Sequence, residues 1–138
     1  MIVRQFTAQD TDQVVALWQE CELTRPWNNP LLDIERKQQQ DDSLFLVGEL
    51  DNHLIASVMG GYDGHRGWMY YLAVSPKHRR CGYARELISH LEQKLIALGC
   101  PKLNLQIRSD NIAVQEFYHE IGFTEDATVS MGKRLIPD

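Results

Sequence analysis

The stretch Tyr70-Tyr71-Leu72-Ala73-Val74-Ser75-Pro76-Lys77-His78-Arg79-Arg80-Cys81-Gly82-Tyr83-Ala84 constrains the fold more than any other part of the chain. An apolar run ends at Ser75-Pro76, a basic loop follows, and beyond it Ala84, Leu87, Ile88, Leu91, Leu95 and Leu98 recur at helical spacing. This order predicts a strand, a turn, and a long helix from Gly82 to Leu98 that Gly99 and Pro101 terminate. The first N–H groups of a helix have no partner inside it, and the helix dipole places partial positive charge there. Arg79 and Arg80 add full charges, Gly82 lets an anion approach the backbone, and Ala84 keeps the next turn small. The loop is therefore predicted to hold a pyrophosphate.

The remaining elements surround this junction. Ile2 to Phe6 alternates as a short strand, and Thr7 with Asp10 three residues on has the form of a helix start. The helix after it places Val14, Val15, Leu17, Trp18 and Cys21 on one apolar side, which reads as core. Asn29 as cap and Pro30 at the first helical position open a second helix to about Gln39. Ser43–Leu50, Leu54–Tyr62 and Trp68–Val74 read as three strands of an antiparallel meander, joined by turns at Asp51-Asn52 and at Asp63-Gly64-His65-Arg66-Gly67. After the long helix, Leu103, Leu105 and Ile107 alternate as a parallel strand. A helix from Asn111 to Glu120 stops at Gly122, and Phe123–Val129 with Lys133–Ile136 is expected to close as a hairpin. Antiparallel strands followed by a parallel strand–helix–strand unit give an α+β fold with one mixed sheet, and 138 residues suffice for one domain spanning 1–138.

Composition excludes several classes. No apolar run approaches the ~20 residues that span a bilayer, and Met1-Ile2-Val3-Arg4-Gln5 is not the start of a signal peptide. Three cysteines, at no metal-like spacing, fit a reducing cytoplasm. The five histidines, at 53, 65, 78, 90 and 119, show no ligand pairing, so no metal is expected. A net charge of −5 argues against a nucleic-acid partner and is compatible with a cationic amine, although solubility explains it equally well. Neither a Walker A loop nor the Rossmann glycine spacing is present.

Arg79-x-x-Gly82-x-Ala84, after the Leu72-Ala73-Val74 strand and Pro76, resembles the acetyl-CoA signature of the GCN5-related N-acetyltransferases (GNAT). Asn111-x-Ala113 and Phe117-Tyr118-x-x-x-Gly122-Phe123 continue the resemblance in the family's order, over roughly the C-terminal half of the chain. Gly60-Gly61-Tyr62-Asp63-Gly64-His65-Arg66-Gly67 is similar to a segment of small uncharacterised bacterial members. The resemblance implies a mostly antiparallel mixed sheet with about four flanking helices and a splayed central parallel pair, here Tyr70–Val74 and Leu103–Ile107. Splaying leaves backbone groups without a strand partner. The pantetheine arm of acetyl-CoA, the implied co-substrate, would fill the gap against the backbones of Leu72 and Val74. Cofactor contacts are implied for Arg79, Arg80, Cys81, Gly82, Tyr83, Ala84, Asn111 and Tyr118. Asn111 is equally readable as a helix cap.

The implied reaction is direct acetyl transfer from the thioester to a primary amine of a small molecule or peptide. The resemblance implies the backbone N–H near Val74 as the oxyanion partner and Tyr118 as the acid facing the departing sulfur; a core role for Tyr118 is the competing reading, with Phe117 the expected core member of the pair. The base is not assigned. Family members that acetylate protein N-termini often carry a Glu where Gln106 stands here, and Gln cannot take a proton. Asp63, His65, Glu49 or a water chain ending at Tyr70 or Tyr71 are the alternatives. For the acceptor, Trp27 on its loop, Asp63, His65, Arg66, Tyr70 and Gln106 are candidate contacts. Trp27 reads equally as packing for its loop, and the Asp63–Arg66 turn as a plain hairpin tip. A domain that binds acyl-CoA as a non-catalytic sensor is the competing function. Acceptor identity and oligomeric state stay open, with a homodimer among the options.

Overall fold

In the computed structural model, which describes residues 1–138, the backbone divides into two units, Met1–Leu105 and Gln106–Asp138. The first holds a five-stranded sheet in the order β1 (Ile2–Gln5), β2 (Phe45–Leu50), β3 (His53–Tyr62), β4 (Gly67–Val74) and β5 (Leu103–Asn104). The pairs from β1 to β4 are antiparallel and β4·β5 is parallel, as the mixed α+β reading requires. Asp51 and Asn52 make the β2–β3 turn with φ of 52° and 65°, the two-residue geometry that suits a twisted hairpin.

Helices cover both faces. On one lie α1 (Thr11–Glu20) and α2 (Pro30–Gln40), and on the other α3 (Tyr83–Ala97). The first face closes around Phe6, Val14, Leu17, Trp18, Ile34, Phe45, Val47, Met59 and Ala73. The Asn29 side chain caps α2 by accepting from the Leu31 and Leu32 N–H groups, and Pro30 occupies the first helical position. At the start of α1, Asp10 accepts from the Thr7 N–H at 2.8 Å and forms a two-pronged ion pair with Arg4. Arg4 also binds Glu49. On the other face Leu87, Ile88, Leu91 and Leu95 are buried. A Cβ at Gly60 would come within 2.4 Å of the Leu91 side chain, so only glycine lets α3 lie this close to β3. Leu98 departs from the predicted stripe. It caps the C-terminus of α3, beyond the last helical turn, and is 54% exposed.

The parallel strand is shorter than its alternation suggests. Only Leu103 and Asn104 pair, opposite Gly67 and Trp68. The pairing stops at Trp68, two residues before the irregularity that lies between Tyr70 and Ala73 of β4.

The second unit contains α4 (Ile112–Glu120) and irregular chain. The expected hairpin over 123–129 and 133–136 is not formed. Val129, Met131, Leu135 and Ile136 are all exposed, and an isolated two-stranded hairpin gains too little burial to hold itself. No helix of the chain is long and apolar enough to cross a membrane.

Candidate active site

The site is built on a defect in β4. Ser57 faces Ala73 and Met59 faces Tyr70, so Tyr71 and Leu72 together oppose the single residue between. This is a β-bulge, and Tyr71 takes a φ of 53°, a left-handed conformation that costs a bulky residue energy. The surroundings hold it there. The Tyr71 ring stacks on Trp18 with centroids 3.7 Å apart and planes 8° from parallel. Its hydroxyl donates to Asp33 Oδ2 at 2.6 Å, and its carbonyl accepts from Ser57 Oγ at 3.0 Å. Ser57 Oγ in turn accepts from Trp18 Nε1 at 2.8 Å, and both Ser57 and Trp18 are wholly buried.

Past the bulge, β4 has one free edge. The Ser75 N–H donates to the Ile55 carbonyl on β3. Backbone groups alternate in direction along an antiparallel ladder, so the N–H and C=O of Val74 face the opposite edge. There β5 has already ended. The Val74 carbonyl meets only the Cys21 thiol, at 3.4 Å. Leu72, the residue directly after Tyr71, opens this edge.

The edge runs into the basic loop. Pro76–His78 forms a 3₁₀ turn, with the Ser75 hydroxyl donating to Glu20 Oε1. Arg79, Arg80, Cys81 and Gly82 follow on the surface, Arg80 at a φ of 62° and Gly82 at 79°. Two left-handed residues in so short a loop bring successive N–H groups around to one side. The first backbone bond of α3 runs from Glu86 N–H to the Gly82 carbonyl, and no side chain caps the helix. A Cβ at Gly82 would meet nothing within 4 Å, so the space over the helix end is open. Tyr83 and Ala84 form the first turn, half-buried. Arg79 lies against Cys21 and works to lower the pKa of its thiol, but burial dominates and pushes it up.

The candidate acceptor residues are not gathered in one place. The turn carrying Asp63, His65 and Arg66 joins β3 to the start of β4, on the order of 20 Å from the basic loop along a strand. Asp63 Oδ1 accepts from the N–H groups of both His65 and Arg66, and those bonds hold its carboxyl below the usual range. That oxygen closes its own turn, and the low pKa makes Asp63 a poor base. Glu49 is bound by Arg4. Trp27 is 52% exposed on the α1–α2 connection, and Tyr70 is 49% exposed on β4 beside the bulge.

In the second unit, Asn111 caps α4, its side chain accepting from the Val114 N–H. Tyr118 is buried, in edge-to-face contact with Phe117 and Phe123, and burial pushes its phenol up to about 12. Tyr118, rather than half-exposed Phe117, is thus the core member of the pair, because α4 turns position 118 inward. Gln106 is exposed and donates to Ser130 Oγ.

Two residues of the site escaped the sequence reading. Ser57 stood out only as a hydroxyl within an apolar strand, a pattern that demands a buried partner. Asp33, in the first turn of α2, looked like an ordinary helix-start acid.

The sequence profile of the acetyltransferase (GNAT) family matches residues 11–123. An acetyltransferase of Yersinia pestis is 52% identical over 138 residues, covering all of this chain and 98% of its own. Among solved structures, Ard1 from Thermoplasma volcanium superposes with a TM-score of 0.81 at 22% identity, covering 91% of this chain and 84% of that one. AAC(6')-Iy, solved in complex with the bisubstrate analogue CoA-S-monomethyl-acetylneamine, gives 0.78 at 19% identity, covering 97% of this chain and 98% of that one. At such identities these two likenesses speak for the fold. The chain belongs to the acetyltransferase (GNAT) family, and it is an acetyltransferase.

Proposed function

We propose that this acetyltransferase takes its acetyl group from acetyl-CoA and passes it directly to a primary amine of a small molecule or peptide. One observation carries the reading: the unpaired edge of β4 leads straight into an uncapped helix N-terminus flanked by Arg79 and Arg80. The exposed loop and the open space over Gly82 suit a diphosphate. The C=O of Val74 and the backbone of Leu72 before it offer the bonding that the amides of a pantetheine arm need. Bound there, the thioester supplies an acyl group already activated for attack.

Positioning is the first task left to the protein, and in-line placement of two reactants can supply on the order of 7–11 kcal/mol. The Val74 N–H serves as donor to the oxyanion. Tyr118 serves the departing sulfur. With a pKa of about 12 its phenol stays protonated at neutral pH, and full transfer to a thiolate is uphill against an ordinary thiol near 8.5. Its contribution is therefore a hydrogen bond donated to the sulfur as charge develops. Asn111 orients α4 as its cap and contacts the pantetheine arm.

The test is incubation of pure protein with acetyl-CoA and a panel of primary amines, with free thiol followed over time. Amine-dependent thiol release is the expected result. Tight acetyl-CoA binding with no amine accelerating release would overturn the transfer and favour a sensor.

A further inference from the structure

Resting on that reading, we infer that Asp33, with Tyr70 and Tyr71, forms a binding site for the alkylammonium group of the acceptor, on the α1/α2 face of the sheet beside the bulge. The opposite face is filled: Leu91 and Leu95 of α3 lie against Gly60 and Gly67, so within this unit an acceptor reaches the middle of β4 from the α1/α2 side. On that side Tyr70 lies opposite Met59, a member of the α1/α2 core, and residues opposite one another in a ladder share a face. Tyr70 is half-exposed there, next to the one strained residue of the strand.

Asp33 is the carboxylate that the fold delivers to this spot. It lies in the first turn of α2, half-buried, and its Oδ2 accepts the Tyr71 hydroxyl at 2.6 Å. Tyr71 is itself held by Trp18 and Ser57, so the carboxylate has a rigid support. Lys37, one helical turn further along α2, is occupied by Asp42 at 2.6 Å. A carboxylate beside tyrosine rings takes an organic cation: a charge-assisted N–H···O bond on one side and an electron-rich ring on the other. It disfavours an amine with a carboxylate next to it, so the acceptor class is an alkylammonium rather than a free α-amino acid. The ammonium held by Asp33 stays protonated and is not the reacting nitrogen; the acceptor's other amine attacks in its neutral form, and the proton it sheds on forming the amide balances the departing thiolate. Asp33 is thus a binding residue and not the base.

The probe is 1,5-diaminopentane, with 1,5-pentanediol as its uncharged counterpart and 6-aminohexanoate as the carboxylate-bearing one. Binding to the protein alone is followed by NMR shift titration, and acetyl-CoA affinity is measured in parallel by calorimetry. The diamine is expected to bind, the diol not, and 6-aminohexanoate more weakly. D33N, which keeps the shape and can still accept the Tyr71 hydroxyl, is expected to weaken the diamine by about tenfold or more while leaving acetyl-CoA affinity unchanged. Y71F keeps the charge and should hold diamine affinity within about threefold. Equal diamine affinity in D33N and wild type, diol binding as tight as diamine, or a loss in Y71F matching that in D33N would each overturn the site. Failure of the wild type to bind acetyl-CoA would strike the transfer reading instead, and the amine titration would still decide the cation site.

Discussion

Replacing Ser57 with alanine tests how β4 is held in its unusual path. The hydroxyl is fully buried, accepts from Trp18 Nε1 at 2.8 Å and donates to the Tyr71 carbonyl at 3.0 Å. Alanine fits the space but strands one donor and one acceptor away from water. Each buried group left unpaired costs about 1–3 kcal/mol, and removing the hydroxyl recovers part of its own desolvation. The net expectation is a loss of about 3 kcal/mol, or a Tm lower by roughly 10 °C for a chain of this size. Urea unfolding followed by tryptophan fluorescence reads it directly, with an unchanged m-value confirming that the native state is intact. The cycle partner is W18F, which removes the indole N–H. In that background S57A should cost about 1–2 kcal/mol less, because one stranded group no longer exists. A loss under 1 kcal/mol in the wild-type background, or the same cost with Phe at 18 as with Trp, would refute the claim that this hydroxyl carries the bulge.

Three further outcomes follow from the site and its supports. Charge reversal in R80E should weaken acetyl-CoA by at least tenfold in calorimetry with Tm nearly unchanged, since residue 80 is exposed; equal affinity would remove the loop from the cofactor site. Y118F should lower turnover by ten- to a thousandfold with acetyl-CoA affinity intact, since only the bond to developing charge is lost; unchanged turnover would strip the phenol of its role. Arg4 holds the Asp10 carboxyl below its ordinary range, so its stabilisation is complete above the unfolded pKa near 4 and is lost as pH falls through the lower native value. D10N should therefore cost about 1–2 kcal/mol at pH 7, allowing for the partly exposed Arg4, and flatten the decline in stability below pH 4; an unaltered acid profile would contradict the assignment.

Much of this was legible in the chain alone. Local rules set the local pieces: Asn29-Pro30 opened a helix, Asp51-Asn52 turned a hairpin, and the apolar period from Ala84 to Leu95 chose the buried face of α3. The uncapped start of α3 was readable for the same reason, because Gly82 and the residues around it lie within a few consecutive positions. Wherever a residue's role depended on a partner far along the chain, the sequence was silent or misleading. Leu103, Leu105 and Ile107 have a strand's alternation, yet only Leu103 and Asn104 pair with β4, because pairing depends on a distant strand that alternation does not describe. The apolar residues between 123 and 136 have a hairpin's pattern but no strand forms. Asp63, His65 and Arg66 look chemically equipped, but the length of a strand separates them from the basic loop before α3. Asp33 and Tyr71 stand 38 positions apart, and Ser57 and Trp18 39 apart. Periodicity and capping are short-range and written in neighbouring letters, whereas the bulge and the carboxylate beside it exist only once sheet and helices have packed.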